Sequence, residues 1–291
     1  MKMTTAEKIG HGVIAVILFG IAVLCVYPFW YVIMYSLSDS NAALSGGLFL
    51  WPKEFSLKGY QLVLQQKQIY VAYWNTILRT AAGTALSLVL TAMLAYPLSL
   101  PRLRGRGFLC LAIFFTMLFN GGIIPTYLVV NDLGMVDTLW SLIIPNAMSA
   151  YNLFIMRNYF QSLPPSLEES ARIDGAGTLT ILTRIILPLS GPTLAAVGMF
   201  YGVANWNAYM DGVLYINKPE LQILQIYLRN LLASAGSSSV LSGVSNNLSS
   251  QVNDATLQMV VIAVSVIPIL IVYPKLQKFY IKGVITGSVK G

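Results

Sequence analysis

The sequence contains few charged residues for its length. Only 10% of its 291 residues are Asp, Glu, Lys or Arg, whereas 56% are hydrophobic. Because a soluble domain carries about a quarter charged residues, this composition excludes an ordinary soluble protein and indicates that lipid is the main solvent. The alternation of apolar and polar residues that marks membrane strands is also missing. The sequence therefore predicts an all-α membrane protein.

Groups that carry enzyme chemistry are equally scarce. The chain has one histidine, His11, and two cysteines, Cys25 and Cys110, which fall inside apolar runs. A disulfide framework, a metal centre and an acid–base or nucleophilic catalytic site therefore lack their parts. The phosphate-binding pattern G-x-x-x-x-G-K-[ST] is absent as well. We expect this chain not to be an enzyme and to bind no metal, ATP or other cofactor itself.

Six apolar runs are long enough to cross a bilayer. A hydrocarbon core of about 30 Å requires roughly 20 residues of helix. The runs cover about residues 12–37, 75–100, 107–130, 138–159, 185–210 and 255–275. We therefore predict a polytopic membrane protein with six transmembrane helices in a single domain, residues 1–291.

Basic residues are concentrated on one side of these predicted spans. Twelve of the 18 Lys and Arg residues lie at the termini and in the second-to-third and fourth-to-fifth connections, whereas seven of the 11 acidic residues lie on the other side. Since basic residues in short loops stay in the cytoplasm, both termini and residues 161–188 are predicted to be cytoplasmic in a plasma or inner membrane. The net charge of +7 follows from this asymmetry and requires no nucleic-acid partner. Residues 230–253, rich in Ser, Asn and Gly, are predicted to form a flexible external loop.

A folded segment interrupts the predicted cytoplasmic face. Pro164-Pro165 ends the preceding helix, Ser166–Glu169 has the form of a capping box, and Gly175 permits a left-handed helix end. A second helix starts at Thr178, and Pro188 should bend it where it enters the membrane. This pattern predicts a helix of about two turns lying across the cytoplasmic mouth. It is either a simple connector or a docking element for a soluble partner.

The same segment matches a known spacing. The pattern Glu-x-Ala, three residues, Gly, nine residues, Ile-x-Leu-Pro is met without a gap over Glu169–Pro188. It resembles the EAA loop of permease subunits of ABC importers, with Ser170 where the first alanine usually stands. Further stretches are similar to the carbohydrate branch of that family, which includes the maltose permease subunits: Ile124–Tyr127, Gly134–Thr138, Arg157 with Phe160, Trp206-Asn207 and the terminal GVITGSVKG.

The resemblance implies an ABC importer permease fold with a cytoplasmic coupling helix that docks in a cleft of an ATPase. In that helix, Ala171 is expected to let the ATPase surface approach. The implied partners are a second homologous permease, a cytoplasmic ATPase dimer that holds ATP and Mg, an external binding protein, and a sugar or oligosaccharide. The implied coupling residues are Glu169, Ser170, Ala171, Asp174, Gly175, Ala176, Ile185, Leu187 and Pro188.

Polar and aromatic residues inside the apolar runs are candidates for a substrate path. Asn120-Gly121-Gly122, with Pro125, should break the third span in its outer half, where backbone can line a cavity. Amides beside aromatic faces suit a sugar, although they also suit an interfacial aromatic belt with amides bonded between helices. The candidates are Asn120, Tyr127, Asn152, Asn205, Trp206, Asn207 and Tyr209.

The function predicted from these features is that of a membrane-spanning permease subunit of an ATP-driven sugar or oligosaccharide importer. One alternative is an ABC importer for another nutrient. A less favoured alternative is a secondary transporter or channel that works alone. Carboxylates are missing from the interiors of the apolar runs, and proton- or sodium-coupled carriers usually need such groups at membrane depth.

Overall fold

The structure is a computed structural model that describes residues 5–233 and 252–288. These residues are mainly helical, and the one β feature among them is an isolated antiparallel bridge between Ser38 and Phe55. The predicted all-α class is therefore confirmed. Most of the external loop predicted over residues 230–253 lies outside the described residues.

The described residues are organised as a series of helices along the chain. A π-helical turn covers Leu182–Ile186, and a 3-10 turn covers Pro219–Leu221. The α-helices are α1 Thr5–Ser36, α2 Ser40–Ala43, α3 Lys58–Leu64, α4 Lys67–Ser99, α5 Arg106–Leu118, α6 Ile123–Asp132, α7 Trp140–Ile143, α8 Ala150–Ser162, α9 Pro165–Ile173, α10 Thr178–Ile181, α11 Leu187–Leu189, α12 Gly191–Asn207, α13 Met210–Tyr215, α14 Leu224–Ala233 and α15 Asp254–Ser288.

Among the described residues, two straight helices are long and apolar enough to cross a membrane, namely the Gly10–Ser36 part of α1 and the whole of α4. Two bent helix pairs add up to two further crossings: α5 with α6, bent by 111°, and Thr178–Leu189 with α12, bent by 87°. The Asp254–Pro268 part of α15 is a shorter apolar helix. The helical class is thus confirmed, several of these helices could cross a membrane, and the number of six spans stays a prediction.

The predicted span 138–159 is not one continuous helix. Helix α7 ends at Ile143 and α8 begins at Ala150, with Pro145 between them. A proline cannot donate the backbone hydrogen bond that a continuing helix needs. Ser149 then starts the new helix, because its hydroxyl accepts from the Asn152 N–H at 3.4 Å, as an N-cap residue does. The helix predicted over about residues 138–159 is therefore interrupted between Ile143 and Ala150, and Pro145 followed by Ser149 was the sequence signal for this break.

One compact unit of the structure comprises Met1–Ile69 and Leu228–Ile269. In this unit α3 lies directly on α15: a Cβ built on Gly59 would stand 2.9 Å from a methyl carbon of Val260. The Asn253 amide also donates to the Ser40 carbonyl at 2.7 Å. These contacts join the segment after α1 to the start of α15.

The second compact unit comprises Tyr70–Tyr227 and Leu270–Gly291 and contains all the candidate site residues. One of its apolar cores draws side chains from α4, α8, α9, α10 and α12, among them Ala95, Met156, Ala171, Ile181 and Val197. The predicted coupling segment is therefore packed on the apolar helices beside it. It is not a loose connection between them.

Candidate coupling site and substrate path

Helix α9 begins two residues earlier than the sequence suggested. Pro164 is the N-cap residue and Pro165 occupies the first helical position, where its missing N–H costs nothing. Ser166 therefore lies inside the helix, and no side chain caps the N-terminus. The predicted capping box between Ser166 and Glu169 was wrong. Pro165 favours the first helical position, and this preference outweighs the preference of Ser166 for the N-cap position.

The end of α9 has the predicted left-handed glycine. Gly175 has a φ of +79° and its N–H donates to the Arg172 carbonyl at 3.0 Å. The next N–H, from Ala176, donates to the Ala171 carbonyl at 2.9 Å. This pair of bonds is the Schellman arrangement, which satisfies the last carbonyls of a helix and turns the chain sharply.

The two faces of α9 have different surroundings. Ala171 is only 8% exposed and belongs to the apolar core, whereas Glu169, Ser170 and Asp174 are exposed. Ile173 is 86% exposed, although it is a large apolar side chain. The expectation that Ala171 faces a partner is contradicted, because its small side chain lets α9 approach this chain's own core. The exposed face that carries Ile173 is the one available to a partner.

A charged contact ties α9 to the loop between α4 and α5. Glu168 is 16% exposed, and its Oε1 accepts from the Arg102 guanidinium and, at 2.9 Å, from Nε of Arg172. Pairs of this partly solvated kind contribute about 0–1 kcal/mol each. These ion pairs serve mainly to fix the orientation of α9, since its packing in the apolar core already holds the helix in place. The spacing of Glu168 and Arg172 was the available sequence signal for the helical pair.

The segment after α9 contains the predicted bend, displaced by two residues. The Leu187 N–H donates to the Leu182 carbonyl across a π-helical turn, directly before Pro188. The 87° change of direction follows at Ser190, whose hydroxyl donates to the Ile186 carbonyl at 2.7 Å. Ile185 and Leu187 pack against the apolar core, whereas Pro188 is exposed.

The predicted break in the third span is present between α5 and α6. Asn120 accepts from the Gly122 N–H at 3.0 Å, and Gly122 has a φ of +88°, which glycine adopts without strain. Asn120 itself is exposed. Tyr127, on α6, stacks on Tyr215 with ring centroids 6.0 Å apart.

The other path candidates do not share one surface. Asn205 is buried on α12, and a Cβ built on Gly83 of α4 would lie 3.1 Å from its amide atoms. Trp206 is half-buried, and its Nε1 has no hydrogen-bond partner within the described residues. Asn207 and Tyr209 are exposed. Successive residues of a helix point to different sides, so Asn205 serves helix packing while Asn207 and Tyr209 stay accessible.

Asn152 is buried next to a hydroxyl network that joins three helices. It lies in the first turn of α8 and is 5% exposed. Nearby, the Tyr201 hydroxyl pairs with that of Thr91 at 2.7 Å and accepts from the Ser149 N–H at 3.1 Å. The structure thus places Asn152 in the packed interior, apart from the accessible residues Asn207 and Tyr209.

A buried ion pair is the feature that the sequence analysis missed. Arg79 of α4 is 1% exposed and pairs with Asp211, which is 8% exposed, at the start of α13. Asp211 stands one residue beyond the predicted run 185–210, so it was assigned to the external side. Arg79 was the available signal, because a charged residue within an apolar run usually has a buried partner.

Asp137 anchors the chain after α13. It has a φ of +59°, and its Oδ1 accepts from the N–H groups of Asn217 at 2.6 Å and Lys218 at 3.1 Å. The Asn217 N–H lowers the pKa of the Asp137 carboxyl below its ordinary value; burial opposes this, and the Lys218 N–H reinforces it. The loop between α6 and α7 is thereby joined to the chain before α14.

The lowered pKa of Asp137 gives a pH-dependent prediction. A carboxyl whose pKa is lower in the folded state stabilises the protein fully above its ordinary value of about 3.9 and loses that effect as pH falls through the folded value. We expect Asp137→Asn to lower the thermal midpoint in detergent near neutral pH, with a difference from wild type that shrinks below about pH 4. A difference that stays constant down to pH 3 would show that the carboxylate charge has no role.

The architecture and site together define a polytopic helical membrane protein in which a short, firmly held helix lies between broken apolar helices. This is the class of the transport permeases. Residues 69–286 match the family described as binding-protein-dependent transport system inner membrane component, and the chain belongs to that family. The resemblance drawn from the sequence, and the membrane location, are thereby confirmed.

Characterised relatives cover almost the whole chain. It is 42% identical to the polygalacturonan/rhamnogalacturonan transport system permease protein YtcP of Bacillus subtilis, over 93% of this chain and 94% of that protein. It is 26% identical to the arabinooligosaccharides transport system permease protein AraQ of Halalkalibacterium halodurans, over 93% of each. A solved bacterial ABC transporter involved in the import of the acidic polysaccharide alginate contains a chain with 34% identity and a TM-score of 0.87, covering 96% of this chain and 99% of that one.

Proposed function

We propose that this chain is the membrane-spanning permease subunit of an ATP-driven importer for an oligosaccharide, with six spans and both termini in the cytoplasm. The observation that carries the proposal is the exposed face of α9. One side of this helix is fixed in the core by Ala171, and the other presents Glu169, Ser170 and an almost fully exposed Ile173. A large apolar side chain held in this way is suited to insertion into a partner's pocket.

The partners follow from this assignment. A cytoplasmic ATPase dimer would bind ATP and Mg and receive α9 in a cleft, and its closure would push on α9 and tilt the apolar helices attached to it. A second homologous permease would complete the path, and an external binding protein would deliver the ligand. This chain contributes the path and the coupling helix, and hydrolysis takes place on the ATPase.

The names of the three proteins described above support an oligosaccharide as cargo. They cover polygalacturonan/rhamnogalacturonan, arabinooligosaccharides and the acidic polysaccharide alginate. Asn207 and Tyr209 are an accessible amide and an accessible aromatic side chain among this chain's path candidates. An amide can form hydrogen bonds with the hydroxyl groups of a sugar, and a neighbouring aromatic ring can contact the face of the sugar. Such a pair suits an acidic sugar as well as a neutral one.

Reconstitution tests the proposed function. The complex is purified from membranes, its attached chains are identified, and uptake of acidic and neutral oligosaccharides into vesicles is measured with ATP and with a non-hydrolysable analogue. We expect a co-purifying ATPase and uptake that requires hydrolysis. Uptake driven by an ion gradient without an attached ATPase would identify a secondary transporter, and hydrolysis stimulated only by a non-sugar nutrient would identify an importer for that nutrient.

The orientation of the chain can be checked by labelling. A single accessible cysteine at Gly177, between α9 and α10, should react with a membrane-impermeant thiol reagent only after the cells are opened. A cysteine at Ser237, in the predicted external loop, should react in intact cells. Both tests use a background in which Cys25 and Cys110 are replaced. Labelling of position 177 from outside would reverse the orientation and remove α9 from the ATPase side.

A further inference from the structure

Arg79 contacts both ends of the corner between α12 and α13. One guanidinium nitrogen donates to Oδ2 of Asp211, and Nη1 donates to the Ala208 carbonyl at 3.0 Å. Ala208 is the residue directly after the end of α12, and Asp211 lies in the first turn of α13. Asp211 also accepts from the Gly212 N–H at 2.8 Å. A single planar side chain therefore sets the position of the residue that leaves one helix and of the residue that begins the next.

The same face of α4 holds the chain further along. The Asn75 amide donates to the carbonyls of Glu220 at 2.8 Å and Gln222 at 3.0 Å. The Thr76 hydroxyl accepts from the Leu224 N–H at 2.9 Å. Asn75 and Thr76 stand one turn before Arg79 on α4, so this part of the helix fixes the backbone at several points between residues 208 and 224. Side-chain hydrogen bonds from α4 therefore hold this segment, in addition to any apolar packing.

Two accessible path candidates lie at this corner. Asn207 is the last residue of α12 and Tyr209 precedes α13, and both are exposed. Ala208, between them, has an extended backbone with ψ of 129°. The directions of Asn207 and Tyr209 therefore depend on how the Ala208 carbonyl is held, and the buried group that holds it is the Arg79 guanidinium.

We propose that Arg79 and Asp211 are positioning residues for transport, which hold Asn207 and Tyr209 in the orientation that accepts the sugar. The inference rests on the proposed function, because it takes the corner to be part of the sugar path. Neither Arg79 nor Asp211 needs to touch the sugar, since both are buried. Their effect is transmitted through the backbone of Ala208 and the first turn of α13.

This role predicts a difference between arginine and lysine at position 79. Lysine keeps the charge beside Asp211, but an ammonium on a flexible stem does not reproduce the fixed planar fork that reaches two acceptors at once. The Arg79→Lys variant should therefore assemble with its partners, but Asn207 and Tyr209 should no longer be held in one orientation. Arg229→Lys is the matched control, because Arg229 is an exposed arginine, on helix α14.

The experiment compares both variants with wild type in reconstituted vesicles. The amount of assembled complex, the half-saturating sugar concentration and the maximal rate are measured. For Arg79→Lys we expect normal assembly and a half-saturating concentration raised about tenfold, the ratio that one lost charge-assisted hydrogen bond gives. A wild-type value in assembled Arg79→Lys, or loss of assembly with no transporting complex to measure, would overturn the positioning role.

A second variant separates positioning from folding. In Arg79→Met with Asp211→Leu, the buried charges are both replaced by apolar groups, a change that folded proteins often tolerate. We expect the double variant to assemble but to transport with the same altered sugar dependence as Arg79→Lys. Wild-type sugar dependence would overturn the inference. Failure of the proposed function has a different signature, because wild type itself would then take up no sugar with ATP.

Discussion

Ala171→Asp should displace α9 from the apolar core of this chain and abolish ATP-driven uptake. The Ala171 side chain is 8% exposed within an apolar core, where a carboxylate would find no partner. Burying a polar group without a hydrogen bond costs roughly 2–7 kcal/mol, which is more than the partly solvated Glu168 contacts of α9 can offset. Helix α9 should therefore leave the apolar core. The apolar helices should still insert into the membrane, since their insertion depends on other residues.

Protease protection measures this displacement directly. We expect rapid cleavage within residues 164–178 of Ala171→Asp, together with loss of the bound ATPase and of uptake. Ala171→Ser is the matched control, because a small hydroxyl can donate to a carbonyl of the preceding turn and should stay protected. Protection of the aspartate variant at the wild-type level would contradict the burial of this face of α9.

Removing one partner of the Arg79–Asp211 pair should have the second large effect. Arg79→Met leaves the Asp211 carboxylate buried without its counter-charge, a situation that costs about 3–5 kcal/mol. We expect a strong loss of folded complex from the membrane and a lower thermal midpoint in detergent for what remains. Adding Asp211→Leu to the same chain should restore most of the folded protein, because no unpaired charge is then left.

The comparison of single and double variants distinguishes two explanations. If the pair acts through its charges, the double variant recovers and the single variant does not. An equal loss in both would show that the hydrogen bonds of Arg79 and Asp211 to the backbone are themselves required for folding. A single variant as stable as wild type would mean that Asp211 is solvated, in contradiction to its exposure of 8%.

Features that depend on local chemistry were predictable from the sequence. Gly175 and Gly122 occupy left-handed or otherwise restricted backbone positions that glycine adopts readily, so the end of α9 and the break before α6 could both be predicted. The apolar runs that became α1 and α4 follow from composition and length alone. In each case a single residue type, or the length of an apolar run, determines the local structure.

Features that depend on a distant neighbour were not predictable. Whether Ala171 faces its own core or a partner depends on how α9 packs on α8 and α10, and a single small residue allows both. Asp211 could have remained in water, since it follows an apolar run, but in the fold it is buried beside Arg79. At the start of α9 two local signals overlapped, and Pro165 determined the first turn instead of Ser166.

The exposed face of α9 is tested most directly by Ile173→Asp. Ile173 is 86% exposed, so the substitution leaves this chain's own packing unchanged and alters only what a partner contacts. The measurement is the amount of ATPase retained on the purified complex, read together with ATP-driven sugar uptake and with Ile173→Val as control. An apolar anchor at the centre of an interface contributes about 2 kcal/mol or more, or roughly 30-fold in affinity. We expect α9 of Ile173→Asp to stay protected from protease while the ATPase and uptake are lost, whereas Ile173→Val should retain both. Full retention of ATPase and uptake by Ile173→Asp would contradict the assignment of α9 as the coupling helix.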